Sequence, residues 1–218
     1  MRDRASEIFR KIEEIKKQEG ITYPITVIGA SKMVDADTIN LLPSLGINTV
    51  GENKVQELLE KYDKVFGLQW HFIGALQTNK VKYIIDKVTL IHSLDRPSLA
   101  DEIDKQARKI GKKMDVLVEV NTGREPTKSG VFPEDAYSFM HYVSSKPNLN
   151  LRGVMGVFPV GADETLYKEL RKISDFAKEN YGADILSAGM SNDYETAIKH
   201  GSNMVRIGSA LFGKRNYN

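Results

Sequence analysis

Met114-Asp115-Val116-Leu117-Val118-Glu119-Val120 is a nearly continuous apolar run. Its length is that of a strand, and apolar side chains at almost every position suit a strand covered on both faces, as in parallel sheets. Working outward from it, short apolar strands alternate with amphipathic stretches. Upstream strands are expected at 25–32, 47–50, 69–74 and 88–92, with helices at 35–45, 54–62, 78–85 and 96–110. The 114–120 strand leads to a helix at 133–145 that opens on Pro133, a residue suited to a first turn. Strands at 151–156, 185–187 and 204–207 follow, each with its helix, the last opening through Gly208-Ser209. Eight strand-helix units with no hairpin signal and no Pro/Ser linker predict an α/β chain folded as one (β/α)8 TIM barrel. An open doubly wound sheet is the alternative.

Bulk properties agree with a single domain over 1–218. With 218 residues and 41% hydrophobic content the chain can bury a full core. Residues 1–20 carry Ile8, Phe9, Ile12 and Ile15 at helical spacing, which predicts an amphipathic helix laid on the barrel. Lys plus Arg 31 against Asp plus Glu 29 leaves +2, scattered along the chain, so there is no nucleic-acid footprint. The absence of cysteine excludes disulfides and thiolate chemistry. No run resembles a signal peptide or approaches the roughly 18 apolar residues of a membrane span. A cytoplasmic protein without membrane or nucleic-acid partners is expected.

In such a barrel, chemistry sits at the C-terminal ends of the strands. The first strand ends in Lys32, and alternation places Ile28, Ala30 and Lys32 on one face. Burial there would favour the neutral amine, the form that attacks an aldehyde to make a Schiff base; the plain alternative is a lysine snorkelling into solvent. After strands seven and eight come Ser187-Ala188-Gly189-Met190-Ser191-Asn192-Asp193 and Gly208-Ser209. These are the two loops that hold phosphate in many barrels, although each loop alone reads as an ordinary helix cap. Arg206 shares a face with Met204 and needs a partner. One reading is a salt bridge to Glu119; the other is a ring nitrogen of a cofactor, such as that of pyridoxal phosphate. Asn53 reads as a helix cap or a ligand contact, His71 as a core residue or a contact, and Lys128 as a solvated charge or an anion contact. The four histidines show no metal-ligand spacing, so no metal site is expected. No dinucleotide or P-loop motif is present.

The motifs Ala30-Ser31-Lys32, Gly51-Glu52-Asn53-Lys54-Val55-Gln56-Glu57, Trp70-His71-Phe72-Ile73-Gly74 with Leu76-Gln77 and Asn79-Lys80, Lys128-Ser129-Gly130, Gly189-Met190-Ser191 with Asp193, and Val205-Arg206-Ile207-Gly208-Ser209 with Phe212-Gly213 occur in this order. Through them the chain resembles the pyridoxal phosphate homeostasis protein family over nearly its whole length. The resemblance implies a barrel like the N-terminal domain of alanine racemase, with pyridoxal 5'-phosphate on Lys32 as a Schiff base. It further implies phosphate contacts from Ser191, Gly208 and Ser209, Arg206 at the pyridine nitrogen, and Asn53 close by, with His71 and Lys128 as secondary candidates. Two positions depart from the family pattern. Val34 stands where many relatives carry a second lysine, which puts in doubt any transfer step assigned to that lysine. Ser209 replaces a common threonine and keeps the hydroxyl.

The expected function is a pyridoxal phosphate carrier without turnover of its own and with no catalytic residue, serving pyridoxal-phosphate-dependent apo-enzymes as a monomer or weak dimer. Racemization needs acid/base groups on both faces of the substrate carbon. The sequence, ending at Asn218 after the eighth unit, is expected to lack the further domain that supplies one of them in the racemases. A racemase-type enzyme and a cofactor-free Schiff-base aldolase are the alternatives.

Overall fold

Leu117 faces one way and its neighbours Val116 and Val118 the other, and the two directions lead into two different cores. The computed structural model describes residues 1–159 and 161–213, so residue 160 and residues 214–218 of the expected domain lie outside the described part. Eight strands, β1 (Thr26–Ala30), β2 (Thr49–Glu52), β3 (Gln69–Phe72), β4 (Leu90–Leu94), β5 (Met114–Val120), β6 (Leu149–Gly156), β7 (Ile185–Ser187) and β8 (Met204–Ile207), run parallel in sequence order. The sheet closes where β1 pairs with β8 through Thr26–Met204 and Ile28–Arg206. Inside, Ile28, Leu90, Leu117, Met155 and Met204 form a small apolar cluster, with Ile185 against it. Outside, Val116, Val118 and Val120 join the larger core between sheet and helices.

The helices alternate with the strands as expected: α1 (Arg2–Glu19), α2 (Ala36–Ile39), α3 (Val55–Tyr62), α4 (Val81–Ile84), α5 (Pro97–Lys109), α6 (Pro133–Ser144), α7 (Glu164–Tyr181), α8 (Tyr194–Lys199) and α9 (Ser209–Phe212). Ala5, Ile8, Ile12 and Ile15 are the buried face of α1, which lies against α8 and α9. The helix expected at 35–45 is two pieces. Asp35 caps α2 by accepting from the Thr38 N–H at 2.8 Å, but the segment re-forms only as a 3₁₀ turn at Pro43–Leu45. Pro43 has no N–H to continue the ladder, and the Asn40 side chain bonds across to Lys64 and Phe66. Among the described residues no helix is long and apolar enough to cross a membrane.

Candidate functional site

The apolar layer inside the barrel gives way to a polar one. Two residues beyond Leu90, Leu117, Ile185 and Met204 come His92, Glu119, Ser187 and Arg206, all buried. A bulge helps to build this layer. Ile91 pairs with Val116 and Leu94 with Val118, so His92 and Ser93 together oppose the single inward residue Leu117.

Arg206 is anchored on one side only. Its Nη1 donates to the Ser187 carbonyl at 2.9 Å and to Ser187 Oγ at 2.7 Å, and its Nη2 donates to the Gly156 carbonyl at 2.9 Å. Among the described residues it makes no ion pair, so the bridge to Glu119 that the sequence allowed does not form. Two of its five N–H donors, one on Nε and one on Nη2, are left unengaged by these bonds. Burial lowers the guanidinium pKa to about 10 against the pull of Glu119, which leaves it charged at neutral pH. Glu119 is pushed up to about 7 by burial and by Asp95, with Arg206 opposing, and its Oε2 has no hydrogen-bond partner among the described residues.

Behind Arg206 runs a chain of neutral groups. Ser187 Oγ lies 3.0 Å from His92 Nδ1, and His92 Nε2 lies 3.0 Å from His71 Nδ1. Burial lowers the His71 pKa to about 4. Burial, then His71 and Arg206, hold His92 well below the ordinary histidine value.

Above this layer is a cavity of about 910 Å³, and Lys32, Asn53, Ser191, Arg206, Gly208 and Ser209 all line it. Lys32 is half-buried and sits beyond the end of β1, in a turn rather than in the strand. Val34, two residues on, turns into the outer core and is 7% exposed. Across the cavity, Ser191 Oγ accepts the N–H groups of Gly208 and Ala210, each at 3.1 Å. This one hydroxyl therefore joins the loop after β7 to the start of α9, while the N–H and hydroxyl of Ser209 make no hydrogen bond among the described residues. His71 does not reach the cavity and lies within the barrel wall, 5% exposed. Lys128 is exposed on the loop after β5, away from the cavity.

Two cavity residues, Tyr167 and Asp193, have no role in the sequence reading. Tyr167 of α7 donates to Asp193 Oδ2 at 3.0 Å and has its ring centroid 3.9 Å from that of Phe158. Asp193 Oδ1 also accepts the Met190 N–H at 2.7 Å, which fixes the loop carrying Ser191. Asp193 stands in the Gly189-Met190-Ser191 motif and was visible there; nothing around Tyr167 marks it.

A family model described as "Alanine racemase, N-terminal domain" matches residues 11–216. A pyridoxal phosphate homeostasis protein of Aquifex aeolicus is 42% identical over 224 residues, spanning 99% of this chain and 98% of that one. The chain belongs to the pyridoxal phosphate homeostasis protein family. Among solved structures, PipY of Synechococcus elongatus with PLP bound matches with a TM-score of 0.79 at 26% identity, over 93% of this chain and 100% of that one. An alanine racemase of Clostridium difficile shares the fold, with a TM-score of 0.74 at 18% identity over 99% of this chain and 58% of that one.

Proposed function

We propose that this family member binds pyridoxal 5'-phosphate in the barrel-mouth cavity and holds it as a Schiff base on Lys32, without turnover of its own. The observation that carries the reading is the set of unengaged donors facing one cavity: the Lys32 amine, two N–H groups of Arg206, and the N–H and hydroxyl of Ser209. An aldehyde, a ring nitrogen acceptor and a phosphate are what such a set accommodates. Ser191, Gly208 and Ser209 are assigned to the phosphate, Arg206 to the ring nitrogen, and Asn53 to the cofactor's flank.

The cofactor supplies an aldehyde for covalent capture and a ring able to withdraw electrons. Arg206 limits the second property. A charged donor at the ring nitrogen opposes its protonation, whereas a carboxylate would promote it, so the ring is a weaker electron sink. That restricts the chemistry open to the bound cofactor. We infer storage and hand-on to pyridoxal-phosphate-dependent apo-enzymes, in the cytoplasm, by a monomer or weak dimer.

The test is visible absorbance of the purified protein with pyridoxal phosphate, before and after borohydride, followed by peptide mapping. Label on Lys32 is expected. Label elsewhere overturns the assignment, and turnover of labelled amino acids that vanishes in Lys32→Ala replaces the carrier reading with a racemase-type enzyme. A protein that stays colourless with the cofactor points to the aldolase.

A further inference from the structure

The turn that presents Lys32 is held by side chains outside the cavity. Lys61, near the end of α3, directs Nζ to three acceptors: the Ser31 carbonyl at 2.9 Å, Glu52 Oε1 at 2.6 Å and Glu57 Oε2 at 3.3 Å. The two carboxylates complete the grip. Glu52 Oε1 accepts the Ser31 hydroxyl at 2.7 Å and its Oε2 accepts the Asn53 N–H at 3.1 Å. Glu57 Oε2 accepts the Met33 N–H at 2.7 Å.

The peptide groups on both sides of Lys32 are thus bonded to one cluster of three charged groups. The cluster is shielded from water: the side chains of Lys61, Glu52 and Glu57 are 12%, 0% and 18% exposed. Charge-assisted bonds in such surroundings are the strong ones. They also oppose a local cost, because Met33 has φ 60, a left-handed conformation that a side chain larger than glycine's disfavours. The same geometry separates two neighbouring lysines by role. All three N–H donors of Lys61 have acceptors, whereas the Lys32 amine has none among the described residues.

We propose that Lys61, with Glu52 and Glu57, is a positioning device that fixes the backbone at 31–33 and so aims the Lys32 amine into the cavity for covalent capture. The proposal rests on Lys32 being the attachment point. In the step it serves, Lys32 Nζ bonds to the aldehyde carbon, and the carbonyl oxygen leaves as water with both amine hydrogens. Nothing is oxidised or reduced. Displacing the amine by about 1 Å is enough to slow such a step by up to about 100-fold, while Arg206 on β8, held by Ser187 and Gly156, and Ser209 at the start of α9 have no bond to the Lys61 cluster and keep their places.

The test separates capture from binding. Wild type and Lys61→Met are each mixed with pyridoxal phosphate, and the rate of borohydride-trappable label on Lys32 is measured. Equilibrium affinity is measured in parallel for 4'-deoxypyridoxine 5'-phosphate, which has the ring and phosphate but no aldehyde. A capture rate at least about tenfold slower, with analogue affinity within about twofold of wild type, is expected. A parallel loss of both, or no change in either, overturns the proposal. Because Lys61→Met strands the buried Glu52 charge, Glu57→Ala provides a milder variant that removes the Met33 acceptor and the longest of the three Lys61 contacts while Lys61 keeps Glu52 and the Ser31 carbonyl. It should show the same split with a smaller slowing, and an unchanged capture rate in it overturns the proposal even if Lys61→Met does not fold. Label on a residue other than Lys32 in wild type is a failure of the attachment reading, visible before any variant is made.

Discussion

Arg206 Nη1 meets Ser187 Oγ at 2.7 Å, and this contact sets the direction of the hydrogen bonds behind the site. A guanidinium only donates, so Ser187 Oγ accepts from it and turns its own proton to His92 Nδ1, 3.0 Å away. His92 then carries its proton on Nε2 and donates to His71 Nδ1. The assignment follows from the network and from both rings being neutral. Arg206 is thereby braced by groups that do not neutralise it, and its charge stays available to the cavity.

Ser187→Ala removes one of the three anchors of Arg206 and leaves His92 Nδ1 without a donor. Loss of about 1–3 kcal/mol of stability is expected, the cost of stranding a buried acceptor, together with weaker retention of pyridoxal phosphate. Denaturant melts and cofactor titration check both. Serine's carbonyl anchor survives in the variant, so unaltered cofactor spectra would show that the hydroxyl braces the fold and not the guanidinium's aim.

Arg206→Met tests the ring-nitrogen assignment more directly. The long apolar side chain fills space without offering a donor, so the bound cofactor should show a shifted absorbance maximum and a pH dependence that wild type lacks. Its affinity should fall by about 10- to 100-fold, equivalent to about 1.5–3 kcal/mol for a bond to a charged group. Unchanged spectra and affinity are the outcome that sinks the assignment.

The barrel was legible because each parallel strand needs a crossover helix, and the apolar run at 114–120 told which kind of sheet was present. The six residues expected around a cofactor meet at one cavity because barrel topology brings strand ends together. What could not be read depends on contacts between distant positions. His92 and Ser187 are 95 residues apart, and Lys61 reaches the Ser31 carbonyl across 30; neither pair has a spacing that a strand or helix period would reveal. Lys32 was placed in its strand by alternation alone, which does not see the left-handed residue at Met33 that makes a turn there. Arg206 was offered a carboxylate partner on charge grounds, but the strand-end backbone carbonyls of Ser187 and Gly156 took that place.

Stability should vary with pH in a direction set by two opposed effects. His71 titrates near 4 in the fold against 6.5 ordinarily, and His92 is lowered too. Their stabilising contribution is present above pH 6.5 and is lost on acidification. Glu119 is raised to about 7 from 4.5, so its contribution is complete below pH 4.5 and is lost as pH rises to 7. Two histidines outweigh one carboxyl, and wild type should weaken between pH 6.5 and 4.5. Glu119→Gln removes the opposing effect: relative to wild type it should be more stable at pH 8 than at pH 5, with the gap changing by roughly 3 kcal/mol. Denaturant midpoints at the two pH values measure it, and a constant gap rejects Glu119 as the titrating group.

Gly74 supports the cavity from a loop that carries no functional group. A Cβ built there would lie 2.1 Å from the Asn53 carbonyl oxygen and 2.7 Å from its Cα, contacts with backbone that no rotamer relieves. The loops after β2 and β3 can touch only because this residue is glycine. Asn53 lines the cavity, and its N–H is held by Glu52, so pushing its backbone away disturbs both the cavity wall and the turn that carries Lys32. Gly74→Ala should therefore cost about 1–3 kcal/mol, the scale of overpacking, and should weaken pyridoxal phosphate binding. A control such as Gly67→Ala has open space around its Cβ and only the strain of a positive φ. It should lose stability without losing cofactor, and equal cofactor loss in the two variants would mean that Gly74 acts through the fold as a whole and not through Asn53.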